Sequence, residues 1–493
     1  MIRRIAAILL VMCCLGIMSI SADSYYYNRK GKSVPAPSAY VAGKVLNGET
    51  LGIGAFNGIE DLYVSEDGIL YIADTGNNRI VVIDTDNSVK KVIYKLTDGM
   101  EEIELLNPQG VFYKDNLIYI CNTGGQEVLI ADDECQVVRR CVKPDSASLT
   151  DSTEYKPSKV AVNASGSIFV QADGIYQGLI QYDSNARFVN FFGATKIEVT
   201  PAVVIQNMWK SLFSDEQREG LTRAISGEIS NVFIDSEDFI LTVTSSVNTK
   251  QVRRLNAAGE NILKYPGYDD DSLLTTGYNR DNFGDQEFDY SKGKLVVSEI
   301  SDIHVDSAGV LSVLDSARGK IFQYDSELNP LCIFAGTGEQ AGYFRKASAL
   351  EKRGDSYLIS DSEKNSITCM EPTGYICKIR AALLQYKQGD YAGAVNCWKE
   401  ILNQNPSFTI AYKSIGRALL QEGNSKDALE YLREGDDRYY YSLAMQEYRR
   451  EFIRENWIWF IPLAIAAAAA FIFVWRFLKK WIASPEKRRG HNE

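Results

Sequence analysis

The chain has 493 residues, room for two to four domains at about 150 residues each; 45% hydrophobic and 24% charged residues exclude wholesale disorder and a polytopic membrane protein. The net charge of −11 comes from 53 basic and 64 acidic residues; Arg3 and Arg4 head the chain and the tail from Arg476 carries a net +4, which leaves −17 for the stretch between, and so acidic a body repels a phosphate backbone and excludes nucleic acid as a partner. With only two histidines, His304 and His491, a multi-histidine metal centre within one chain is excluded, and a histidine-activated nucleophile must use His304.

Residues 1–22 read as a secretory signal peptide. Arg3 and Arg4 precede the apolar run Ile5 to Ile20, and Ser19, Ser21 and Ala22 supply small residues before Asp23. Cleavage near Ala22 is expected, with an uncleaved anchor as the alternative. Seven cysteines follow, from Cys121 to Cys397, without a CxxC. That pattern is not a disulfide scaffold, and Cys135 with Cys141 is the nearest candidate pair.

A repeat begins at Ile59: IEDLYVSEDGILYIADTGNNRIVVID, ending at Asp84. It predicts three short strands with turns at Glu66-Asp67-Gly68 and Thr75-Gly76-Asn77-Asn78. The unit recurs from Pro108, Pro157, Ser230, Ser301 and Ser348. The two widest spacings hold insertions. Residues 201–224 predict helix, with Ile205, Met208, Trp209 and Leu212 at helical spacing and Ser214 with Gln217 as a capping box. Residues 260–295 form an acidic insertion.

The stretch Tyr71-Ile72-Ala73-Asp74-Thr75-Gly76-Asn77-Asn78-Arg79-Ile80, together with Phe334–Phe344, resembles the NHL-repeat family of β-propellers. The resemblance implies a mainly β fold, a six-bladed propeller over 38–372 with residues 38–55 lending a closing strand to the last blade. Further on, Gly389 and Gly423, and Ala394 and Ala428, are 34 residues apart. Residues 375–456 thus resemble a tetratricopeptide-like helical module, with Trp398 and Leu432 filling its seam. The uncharged run 457–475 predicts one transmembrane helix. Trp457, Trp459 and Trp475 form its aromatic edges, and Arg476, Lys479 and Lys480 open a basic tail, 476–493, expected in the cytoplasm. The N-terminal domains are then extracytoplasmic, on a single-pass protein of the cell membrane.

If the repeats align, two rings of polar residues converge at one end of the propeller channel. Glu60, Asp61, Lys159, Asn231 and Asp302 lie at the starts of first strands. Asp74, Asn122, Asp315 and Asp361 lie at the ends of second strands. Together they are the candidate ligand site. The resemblance also implies a structural role for Asp74, Asp315 and Asp361 beside turn amides or a following arginine. Propeller lactonases hold a divalent metal through Glu, Asn and Asp, so Glu60, Asn231 and Asp302 are the metal candidates. No cofactor is expected otherwise, with Ca²⁺ or another divalent cation left open. His304 reads as a core residue. The functional expectation is a binding or scaffold protein for another envelope protein or an extracellular ligand such as a carbohydrate. The alternative is a metal-dependent lactonase-like hydrolase.

Overall fold

A computed structural model describes residues 24–28, 32–149, 152–194, 228–244, 250–264, 283–289 and 294–483. The expected helical insertion at 201–224 lies outside these residues, as does 265–282 of the acidic insertion. The chain divides into two compact units, 1–387 and 388–493.

The first unit is a six-bladed propeller. Blade 1 runs through Ile59–Val64, Leu70–Asp74, Arg79–Ile83 and Val89–Ile93, each antiparallel to the next. Its two middle strands are buried at every position, as expected of sheets packed on both faces. The inner strands of the other blades are Pro108–Lys114, Lys156–Val162, Asn231–Ile234, Ile300–Val305 and Ala347–Arg353. Blade 4 shows three strands among the described residues.

Turn chemistry explains why the unit repeats. Aspartates after strands accept amides two and four residues on, as Asp183 does from Asn185 and Arg187 at 2.9 and 2.8 Å. Asp306 and Asp325 repeat the device. Such turns fix strand register locally. Apolar clusters then join each blade to the next: Ile80, Leu96 and Ile120 pack between blades 1 and 2, and Leu62, Ile72 and Ile367 between blades 6 and 1.

Ring closure uses the N-terminal strand Tyr40–Asn47, which pairs antiparallel with Ser366–Pro372 as the outermost strand of blade 6. One element was not expected from sequence. The hairpin Tyr25–Tyr27 with Ser33–Pro35 extends the outer edge of blade 5 through Tyr25 against Ile333. Of the acidic insertion, Gln286–Asp289 pairs with Lys294–Val297. Cys135 and Cys141 are free thiols and do not pair.

Five helices follow: α1 (Gly374–Gln388), α2 (Tyr391–Gln404), α3 (Thr409–Gln421), α4 (Ser425–Glu434) and α5 (Arg438–Ala483). α1 is anchored to the propeller. Arg380 Nε meets Asp306 Oδ2 at 2.9 Å, and Lys387 Nζ meets Glu237 Oε1 at 3.4 Å.

In the second unit Asp390 caps α2 through the Gly393 amide, and Asn424 caps α4 through that of Asp427. Gly389 and Gly423 both take positive φ, 85° and 81°. Gly416 is required by packing, since a Cβ there would sit 2.5 Å from Leu432 Cγ. Trp398 and Leu432 are fully buried. α5 is 46 residues long and contains Pro462. Within Arg438–Trp481 it has a stretch long and apolar enough to cross a membrane, with Trp457, Trp459 and Trp475 exposed along it.

The closing seam depends on Tyr40. Its ring stacks on Phe334 with centroids 4.4 Å apart, and its hydroxyl accepts from Gln323 Nε2 at 3.1 Å. Tyr40→Ala is expected to destabilise the propeller by about 3–5 kcal/mol, measured by urea unfolding of the detergent-solubilised chain; a change below about 1 kcal/mol would contradict this role.

Candidate functional site

The inner strands converge on a cavity of about 540 Å³, within the range of small-molecule pockets. Its lining runs from Asp61, Lys159, Asn231 and Asp302 to the turns after the inner strands, Ser65–Asp67, Lys114–Asn116 and Asp235–Ser236. The mouth therefore lies at the ends of the inner strands, whereas the aligned rings had pointed to their starts. α1 lies against the same end, because its partners Asp306 and Glu237 belong to turns after inner strands.

One position in each blade forms the floor: Asp61, Gly110, Lys159, Asn231, Asp302 and Ala349. In five of the six inner strands the pairing register shifts there. Such a bulge re-aims the side chain that follows it. Lys159 Nζ binds Asp61 Oδ1 at 2.5 Å and the Glu60 carbonyl at 3.2 Å. It reaches them past Gly110, where a Cβ would run into the Ser158 carbonyl oxygen and lie 3.1 Å from Lys159 Cα. Asp61 Oδ2 accepts the Val111 amide at 2.9 Å. Opposite, Asp302 Oδ1 accepts from Asn231 Nδ2 and Oδ2 from the Leu350 amide, both at 2.7 Å. The two aspartates thus tie blade 1 to blade 2 and blade 5 to blade 6.

Burial opposes the lysine's charge, but Asp61 and Asp302 outweigh it and hold Lys159 protonated. Burial raises the Asp302 carboxyl to about 6, with the charge of Asp61 adding and Lys159 opposing.

Two residues further along each inner strand stand Tyr63, Phe112, Ala161, Phe233, His304 and Glu351, all on the cavity wall. Tyr63 and Phe112 have ring centroids 4.5 Å apart, and Phe233 and His304 5.1 Å. His304 Nε2 is 3.3 Å from Glu351 Oε1. Burial lowers His304 to about 3, with Lys352 and Arg380 adding. Burial also raises Glu351 well above the carboxylate range. At neutral pH the histidine is therefore uncharged, and burial favours the protonated form of Glu351. His304 Nδ1 is buried without a hydrogen-bond partner. Repeat alignment carried two positions onward leads to this wall, which lies outside the two carboxylate rings.

The other expected residues occupy different places. Glu60 is not among the cavity-lining residues. Asp74 is fully buried, accepting from the Asn57 amide at 2.7 Å and from Arg79 Nε at 2.6 Å. Asn122 accepts the Leu106 amide, Asp315 the Arg318 amide, and Asp361 those of Arg345 and Lys364. These four brace turns. Of the metal candidates, Asn231 and Asp302 meet each other without Glu60. Among the described residues no group of three or more His, Cys, Asp or Glu side chains is arranged to hold a metal ion.

Residues 56–83 match the NHL repeat family model. No curated protein matches the chain by sequence. Among solved structures, virginiamycin B lyase from Staphylococcus aureus is 14% identical, covering 72% of this chain and 89% of that one, with a TM-score of 0.38. The extracellular domain of a hybrid two-component system from B. thetaiotaomicron is 10% identical over 70% of this chain and 39% of that one, with a TM-score of 0.36. A Bacteroides thetaiotaomicron protein of unknown function is 10% identical over 69% and 79%, with a TM-score of 0.41. At these identities and scores the likeness carries no function across.

Asp302 gives a pH test. Its folded-state pKa lies above its ordinary value of 3.8. The stability this group contributes is therefore fully present below about 3.8 and lost as pH rises through about 6. A shift of about two units corresponds to roughly 3 kcal/mol at most. Asp302→Asn cannot titrate, so its stability relative to the parent chain should rise across this window. Parallel pH profiles in thermal unfolding would contradict the assignment.

Proposed function

For an NHL-repeat six-bladed propeller followed by five helices, one of them long and apolar, we propose a role as a membrane-anchored binding protein whose propeller captures a ligand outside the cytoplasm. The observation that carries this reading is the cavity at the inner strands, whose floor carboxyl groups are already engaged. Asp61 and Asp302 are saturated by Lys159, Asn231 and backbone amides, and His304 is uncharged at neutral pH. Aromatic faces and polar groups line the wall above this floor. That is the composition of a recognition pocket.

The anchor is α5. Its apolar stretch, its tryptophans and the following Arg476, Lys479 and Lys480 support one crossing with the tail in the cytoplasm. The helices between serve as a tetratricopeptide-like docking module for a protein partner in the envelope. The two positive-φ glycines 34 residues apart and the Gly416–Leu432 contact support that reading.

Two measurements test the reading. Protease added to intact cells should degrade the propeller and spare an epitope at the C-terminus; the reverse pattern would overturn the orientation. Ala164→Trp and Ser236→Trp place bulk at the exposed mouth without touching the core. Each should reduce capture of the native ligand from membranes at least tenfold while leaving thermal unfolding unchanged. Undiminished capture by both would show that the cavity is not the site.

A further inference from the structure

We infer that the cavity takes an organic cation: a protonated amine or guanidinium, carried by a small molecule or by a side chain projecting from a partner, held between Glu351 and the aromatic wall. The inference rests on the cavity being the ligand site.

The lining carries eight carboxylates against two lysines. Neither lysine is available to an anion. Lys159 is committed to Asp61, and Lys114 Nζ to the carbonyls of Asn163 at 2.6 Å and Val162 at 3.4 Å. On the acidic side, Asp61 and Asp302 are saturated at the floor, and Asp235 pairs with Arg254 at 2.7 Å. Glu351 is the exception within the wall. It accepts the Lys352 amide at 2.9 Å and faces the uncharged His304. Its neighbour Lys352 extends instead towards Asp306, 3.8 Å away. The wall thus holds a carboxyl group with no cation of its own.

Aromatic faces stand at the same level of the channel. Tyr63 with Phe112 and Phe233 with His304 come from the inner strands on either side of this position. A desolvated ammonium or guanidinium against such faces gains a cation–π interaction as well as its carboxylate partner. Glu66, Asp67 and Asp115 at the mouth add a field that draws cations inward. A neutral ligand forgoes the ion pair, and an anion is repelled.

Burial favours the protonated Glu351 carboxyl, whereas a cation seated against it favours the carboxylate, so binding draws the group towards loss of its proton to solvent and the resulting carboxylate pairs with the incoming cation. The groups facing Glu351 are His304 and Asp302 from blade 5, Asp61 and Tyr63 from blade 1, Lys159 from blade 3, and Lys352 on its own strand. Lys159 favours ionisation but is shared with both floor aspartates, and the Lys352 ammonium is turned towards Asp306. Affinity therefore increases as pH rises through the range in which the buried Glu351 carboxyl ionises.

The test is calorimetric titration of the full-length protein in a non-ionic detergent, in two buffers of different protonation enthalpy. Agmatine and n-butylammonium probe the small-molecule source, and Gly-Arg-Gly and Gly-Lys-Gly amides the side-chain source. n-Butanol, glucose and N-acetylglucosamine are the neutral comparisons. At least one cation should bind tenfold or more tightly than its neutral counterpart, with proton release. Glu351→Gln should remove the release and weaken binding at least tenfold. Phe233→Leu keeps apolar bulk without a π face and should weaken binding severalfold. Equal binding of cations and neutral molecules, or unchanged binding in both variants, overturns the inference. If a sugar binds and Ala164→Trp blocks it while no cation binds, this inference falls and the cavity remains the ligand site. If no probe binds and both mouth variants capture native ligand normally, both readings fall.

Discussion

Everything in the propeller depends on one seam. Six sheets packed face to face around an axis leave two apolar faces uncovered unless the first and last blades meet, and exposed apolar faces of that size are costly. Here the strand Tyr40–Asn47 completes blade 6 against Ser366–Pro372. With the ring closed, each blade is held by apolar clusters on both sides, and the inner strands are forced to the axis. The cavity exists because six such strands cannot fill the space they surround.

Given the closed ring, one residue per blade decides what the axis contains. A small residue in two blades, Gly110 and Ala349, makes room. Lys159 uses the room beside Gly110 to reach Asp61, and Asn231 reaches Asp302. An unpaired carboxylate at this depth would be costly, so the lysine and the amides set the floor and thereby the end from which a ligand enters. The same logic divides the acidic residues into two kinds. Asp74, Asp315 and Asp361 use their buried carboxyl groups to organise turns, whereas Glu351 has no such duty.

Much of this was legible in the sequence. Turn aspartates, glycines and alternating apolar residues repeat at blade spacing, and these are local signals that a linear reading captures. The resemblance carried by Tyr71–Ile80 supplied the architecture, and the structural role of Asp74 followed from Arg79 five residues on. The open end of the channel was not legible. It depends on register shifts at the floor position and on a lysine crossing between blades, and neither leaves a mark on its own repeat. Glu351 escaped notice because blade 6 is a degenerate copy, SALEKRGD, in which the residue looks like one charge among several. The hairpin at Tyr25–Pro35 is invisible for a similar reason. Its partner strand lies some 300 residues away, at Ile333.

The seam also has a mechanical meaning. Tyr40 and Pro372 are opposite each other at one end of the closing pair, so a pull on the chain leaving Pro372 would open that pair bond by bond, as a zip opens. Immediately after it, Thr373 donates through its amide to the Ala39 carbonyl at 2.9 Å and through its hydroxyl to that of Ser38 at 2.5 Å. Seven residues on, Arg380 grips Asp306 on a different blade. Force travelling back along the chain towards the ring reaches α1 before blade 6 and is shared with blade 5 before it reaches the weakest direction of the ring.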